Sequence, residues 1–464
     1  MTFLKTKNHH TNSRRKISRR SLVQGAAAAG LGLPVSRCLT AAQESSPVAI
    51  SGTPPALPNF AGQTLNFLII QPHAVTGDIL KADFEAATGA TVNVTVVPYD
   101  QVQQQATLDV ESGANQLDVI DYWYPTVGAL AIQGILEDLT DRIDSAADIN
   151  PDDFIPSIYD VYTLADGRRW GLPYDGDTHV LFYNEEIFEQ AGVTSAPETW
   201  DAYLEAARTV TEAGLQTEDG RPIYGSAVQG FKAPIILGST YSNRLAGFGG
   251  RYLNDDGTPA LDSEAAVQAA QALVDVGPYA LPTPLETAFE QALPAFLSGQ
   301  VALQEFWTDL GVYSQDPAQS QIIDKWNVVQ MPVGGSNTEH VAPLNAGFCF
   351  GVSSGSANKD LAWEFVKWAT SPYYNEKLLL TTGSGIDPTR LSTLSSEAYI
   401  AFAPKVQVAA TASLSGAFAW PTIPESPELM IKLSDELALV LQGSKSPEEA
   451  LAESQSGWTQ ILGQ

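Results

Sequence analysis

From residue 65 onward, short apolar runs alternate with stretches whose apolar positions recur at helical spacing. Leu65-Asn66-Phe67-Leu68-Ile69-Ile70 is apolar almost throughout, which predicts a strand buried on both faces. A helix is expected over 77–88, stopped by Gly89, and then a strand Thr91-Val92-Asn93-Val94-Thr95-Val96-Val97. Strand, helix and strand in that order give a right-handed unit with parallel strands. Leu117-Asp118-Val119-Ile120-Asp121 predicts a third strand, followed by Tyr122-Trp123-Tyr124-Pro125 and a helix to Gln133.

Further along, Val180-Leu181-Phe182-Tyr183 reads as a strand bounded by Gly, Pro and Asp. A short helix follows, with Gly192 as its stop. Thr199 is placed to cap a longer helix whose Trp200, Tyr203, Leu204, Ala207 and Val210 share one face. Strands are expected at 224–227, 326–332 and 347–353, and helices at 264–276, 359–370 and 427–441. Ser446-Pro447-Glu448-Glu449 is a capping box with Pro at the first helical position. No fixed-period repeat is present.

One stretch carries a resemblance. Gly167, Trp170, Gly171, Leu172, Pro173, Leu181, Tyr183, Asn184, Phe188, Ala191, Gly192, Pro197, Thr199 and Trp200 follow in order. They match the crossover segment of family 1 extracellular solute-binding proteins, the maltose-binding-protein-like sugar receptors of ABC importers. Gly134-Ile135-Leu136-Glu137-Asp138-Leu139-Thr140, Phe248-Gly249-Gly250 with Asp255-Asp256-Gly257, and 383–390 resemble further motifs of that family. The likeness covers about residues 62–462. It implies an α/β, two-lobe periplasmic-binding-protein type II fold, with a flanked central sheet in each lobe. Residues 62–174 plus 331–380 would form lobe 1, and 175–330 plus 381–464 lobe 2. Hinge strands would run near Pro173–Thr178, Val329–Pro332 and Gly383.

Composition narrows the function classes. A chain of 464 residues suggests about two domains, and 44% hydrophobic residues suffice for packed cores. The net charge is −28, although Lys5, Lys7, Arg14, Arg15, Lys16, Arg19, Arg20 and Arg37 crowd the first 42 residues without any acid. The rest of the chain is more acidic still, which disfavours nucleic acid as a partner. Ser18-Arg19-Arg20-Ser21-Leu22-Val23 before a mild apolar run resembles a twin-arginine export signal, with Leu22 and Gln24 departing from the usual Phe and Lys. Residues 1–42 are therefore read as an export signal, with cleavage after Ala42, and 43–61 as a Pro-rich linker. A lipid anchor at Cys38 is the rival, opposed by Arg37 where a small residue is wanted. Cys349, in an apolar run, is a small buried hydrophobe, and no Cys/His spacing fits zinc. No cofactor or metal is expected.

A sugar needs planar rings to stack on and carboxylates or amides for its hydroxyls. Counting back from Tyr183-Asn184, Asp177 falls where the family's acidic ligand contact lies, with Asp175 beside it. Turn chemistry is their bland alternative. Trp307 matches the family's stacking tryptophan, or it is a core ring beneath a loop. Ligands of open parallel sheets sit beyond the carboxyl ends of the strands, which adds His73, Tyr122 and Trp123. Trp420 stands where many members carry Arg-Pro, and could stack on a second sugar unit or pack the C-terminal helices. Gln229, Phe231, Gly347 and Arg390 complete the set, Arg390 having the alternative of pairing with an acid.

The resemblance implies an exported, monomeric, non-enzymatic receptor that closes on a mono- or oligosaccharide-like solute and delivers it to an ABC permease. Two alternatives remain: a secreted glycoside-processing enzyme using Asp175 and Asp177, and the same fold carrying a non-sugar solute.

Overall fold

A computed structural model describes residues 50–464, whose two larger sheets are linked by three passages of the chain, with two further two-stranded sheets at Ala342–Leu344 with Ala417–Ala419 and Leu164–Ala165 with Arg168–Arg169. The export signal and Cys38 lie outside the described residues. The first sheet has five strands, in the order Thr91–Val97, Thr64–Ile70, Val119–Trp123, Phe348–Val352, Leu172–Asp175. Its first three strands are parallel, and Phe348–Val352 runs antiparallel to both neighbours. The second sheet has four strands, in the order Trp326–Val329, His179–Asn184, Val301–Trp307, Tyr224–Ser226. The two-lobe α/β expectation is met.

Aromatic packing fixes the first sheet. Phe67 meets Phe350 edge-on at 5.1 Å, and Phe365 of the helix Lys359–Ala369 sits 5.1 Å from Phe67. Such edge contacts add to simple area burial. The predicted caps form: the Thr199 side chain accepts from Ala202 N–H, and Ser446 and Glu449 close the reciprocal box. Gly192 ends its helix at φ 80°, in the left-handed region a side chain avoids.

Three features differ from the sequence expectation. The third strand begins at Val119 rather than Leu117, and Asp118 at its entry accepts from Asn66 N–H and the Ser356 hydroxyl through its side chain. Val301–Trp307 is a fully buried strand that the polar pair Gln304-Glu305 disguises in sequence. Residues 51–61 do not hang free as a linker. Leu57 and Phe60 pack on the core, Phe60 N–H donates to Thr88 O, and the Ser51 hydroxyl reaches Glu376 at 3.1 Å.

The chain crosses between the sheets at three places. The first passage, Gly176-Asp177-Thr178, joins Leu172–Asp175 to His179–Asn184. The second returns from Trp326–Val329 towards Phe348–Val352. The third, around Asp387, runs beside the first: Gly176 N–H donates to Asp387 O, and Asp387 N–H to Asp175 Oδ1 at 2.8 Å. A Cβ on Gly176 would lie 2.1 Å from Pro388 O, so only glycine lets these passages touch. The Thr178 hydroxyl donates to Pro343 O at 3.3 Å, tying the first passage to the second.

Candidate functional site in the interlobe cleft

Where the passages meet, a cavity opens between the sheets, with about 500 Å³ of atom-free space that is partly continuous with solvent. Pro72 and His73 reach it from the carboxyl end of Thr64–Ile70, and Trp307 from the end of Val301–Trp307. Tyr99, following the strand Thr91–Val97, and Phe289, opening the helix Phe289–Leu297, approach from opposite sheets. Asp177, Asp309, Tyr313 and Phe348 complete the chemically distinctive wall.

The acids dominate the electrostatics. Asp175, Asp177 and Asp387 are all buried, with oxygens within 4.8 Å of one another. Burial first, and then neighbouring carboxylates, push Asp175 and Asp177 well above the usual carboxylate range. Burial moves Asp309 and Asp387 the same way. Asp175 Oδ2, Asp309 Oδ1 and Asp387 Oδ2 have no hydrogen-bond partner. The nearest base is His73: its Nε2 lies 3.6 Å from Asp175, while Nδ1 contacts the Tyr174 hydroxyl at 2.6 Å. Burial lowers the His73 ring to about 3, so it is neutral.

A buried polar chain sets the end of the Trp307 strand. Glu305 accepts from Arg244 and from Asn243 Nδ2, and Asn243 also reaches His179 Nδ1 at 2.9 Å. The His179 ring meets the Trp307 indole edge-on at 4.5 Å. Glu305 and Trp307 share a strand face, so the network fixes the indole through the backbone.

The expected residues divide clearly. Asp177, Trp307 and His73 line the cavity together. Asp175 sits behind Asp177, fully buried, outside the lining. Tyr122 and Trp123 border a neighbouring recess that shares Tyr99 and Ile235 with the first, although the Tyr122 hydroxyl is spent on Tyr162 O. Gly347 lies between the lining residues Ala346 and Phe348, as backbone only. Trp420 is buried against Tyr252, stacked at 4.5 Å, which is the packing alternative. Gln229 is buried, donating to Glu305 O, and Phe231 is exposed; neither lines the cavity. Arg390 is not brought to the cleft. Its guanidinium lies 3.9 Å over Phe154 and is taken up by Asp153, Thr370 O and Ile149 O, so the ion-pair alternative holds. Tyr99, Phe289, Asp309 and Asp387 were not anticipated. Asp309, two residues beyond Trp307, and Asp387, inside the motif at 383–390, carry local signals.

A cleft walled by two discontinuous sheets, with acids and rings facing inward, is the architecture of a two-lobe solute-binding receptor. The chain belongs to the bacterial extracellular solute-binding proteins, whose family profile matches residues 72–376. It is 29% identical over 380 residues to a probable amino-acid ABC transporter periplasmic-binding protein of Sinorhizobium fredii, covering 80% of this chain and 83% of that protein. It is 26% identical over 320 residues to a mannitol-binding protein of Pseudomonas aeruginosa, covering 68% and 70%. A solute-binding protein of Agrobacterium radiobacter, solved with ribitol, superposes with a TM-score of 0.78 at 25% identity, over 87% of this chain and 100% of that one. A maltose-bound receptor of T. maritima gives 0.77 at 22% identity, over 86% and 100%, a likeness of fold.

Proposed function

We propose that the protein is the extracytoplasmic receptor of an ABC importer, holding a sugar- or polyol-like solute in the interlobe cleft and passing it to a membrane permease. The cavity between the sheets, with Asp177 and Trp307 on one wall, carries this reading. The carboxylate offers acceptors to hydroxyls and the indole offers a face to C–H groups. The named ligands of the relatives, ribitol and mannitol, support a small polyhydroxylated solute. Capture proceeds by hinge closure about the three passages, driven by the solute's greater affinity for the closed form. We take the lobes to divide as 62–174 plus 331–380 and 175–330 plus 381–464; the five- and four-stranded sheets support this division, while Ala342–Leu344 pairs with Ala417–Ala419 across it. The protein works as an exported monomer; among the described residues no helix is long and apolar enough to cross a membrane.

The glycosidase alternative built on Asp175 and Asp177 is disfavoured because Asp175 does not line the cavity, and binding is supported by relatives that are named as binding proteins. Titration of the purified protein with sugars and alditols, followed by tryptophan fluorescence and thermal shift, tests the proposal. Saturable responses that weaken in Asp177→Asn and Trp307→Phe are expected. Silence towards every carbohydrate and polyol would overturn it.

A further inference from the structure

Neutral polyols leave one feature of the cleft unanswered. Asp177 and Asp309 both face the cavity, and Asp175 and Asp387 stand directly behind Asp177, yet no Lys or Arg is among the lining residues. The buried arginines nearby are already committed, Arg244 to Glu305 and Arg390 to Asp153. Among the lining residues, Asp309 Oδ1 and Trp307 Nε1 are buried and have no hydrogen-bond partner. Two groups of opposite hydrogen-bonding sense are thus left unsatisfied on residues that line one cavity. The N–H asks for an oxygen, and the acids, which burial and mutual repulsion hold above the usual carboxylate range, ionise more readily beside a donor that brings positive charge. Around them stand the rings of Trp307, Phe289, Tyr313, Tyr99 and Phe348, whose faces attract cations when water is excluded.

We propose that the solute is a hydroxylated amine, an amino-alditol or amino sugar, whose ammonium group sits against Asp177 and Asp309 while its hydroxyls meet Trp307 Nε1. This rests on the receptor reading and names the class of solute within it. An ammonium donates three hydrogen bonds and compensates the acids, whereas a hydroxyl in its place does the first in part and the second not at all.

Matched pairs test it: sorbitol against 1-amino-1-deoxysorbitol, and glucose against glucosamine, by calorimetry at neutral pH. The aminated member of at least one pair is expected to bind about ten-fold tighter or more, a difference of ~1.4 kcal/mol. Asp309→Asn should bring the aminated-to-neutral ratio towards one, while Trp307→Phe weakens both members and keeps the ratio. Equal or tighter binding of the neutral members overturns the proposal and leaves the receptor reading standing. A thermal shift with calcium or magnesium chloride alone, reversed by chelation and matched by none with amines, also overturns it, since the acids then hold a metal. Binding of neither member of any pair, nor of any other carbohydrate, overturns both readings.

Discussion

Arg244 and Glu305 form a buried two-pronged ion pair, at 2.8 Å from Nη1 to Oε2 and 2.7 Å from Nη2 to Oε1. The pair joins the helix Ser239–Gly247 to the strand that carries Trp307 into the cleft. The guanidinium also lies 4.4 Å from the Trp200 ring centroid. Breaking one half of such a pair leaves an uncompensated buried charge. Glu305→Gln is therefore expected to lower stability by roughly 3–5 kcal/mol in denaturant unfolding. Replacing both, as Arg244→Met with Glu305→Leu, should fall closer to wild type than Glu305→Gln. A double variant worse than the single would show that the pair stabilises beyond mere charge compensation.

Asp121 offers a pH test away from the ligand. Burial pushes its carboxyl up to about 8, opposed by the Ile70 N–H, which donates to Oδ2 at 3.1 Å, and by Tyr174. The unfolded value is near 3.9. With the folded value raised, the favourable contribution is complete below about pH 4 and is lost as pH rises through about 8. Asp121→Asn keeps an acceptor for Ile70 and does not titrate. Its melting temperature should exceed wild type by several degrees at pH 9, with the gap shrinking towards pH 5. A gap that stays constant with pH would contradict this.

Gly347 is locked by both backbone and space. Its φ is +95°, and a Cβ there would lie 2.3 Å from the Tyr162 ring, which stacks on Tyr124 at 4.4 Å. Gly347→Ala should cost roughly 3–5 kcal/mol, at the extreme end of single substitutions. Gly416→Ala places its Cβ 3.4 Å from Val341 and should change stability by less than about 1 kcal/mol. Similar melting temperatures for the two variants would refute the argument.

Asp177→Asn should weaken solute binding about 10- to 100-fold, the range for losing a hydrogen bond to a charged group. Trp420→Phe should act on stability first, because the Trp420 ring fills the space beside Tyr252. Isothermal calorimetry and thermal melting on the same preparations separate the two effects.

Local signals carried most of the fold. Thr199, Gly192 and Ser446 each act within a few residues of themselves, and the structure shows each where its chemistry places it. Val301–Trp307 was illegible because Glu305 looks like a break until Arg244, on a separate helix, is seen to pair with it. The cleft was half legible. Asp177 and Trp307 belong to motifs with local order, and Asp309 and Asp387 lie beside or inside such motifs, but Tyr99 and Phe289 meet them only through the facing sheets. Arg390 misled because a charged residue in a motif carries no mark of whether it faces solute or its own lobe.

The carboxylates occupy the fulcrum of the molecule, where Asp387 N–H donates to Asp175 across two parallel passages. Points near a fulcrum travel little as the arms swing, so contacts there persist with the arms apart or together. Only contacts that differ between the two positions can shift the balance between them. Grip then belongs to the acids, and sensitivity to closure belongs to residues farther out, such as Tyr99 and Phe289, which line the cavity from opposite arms.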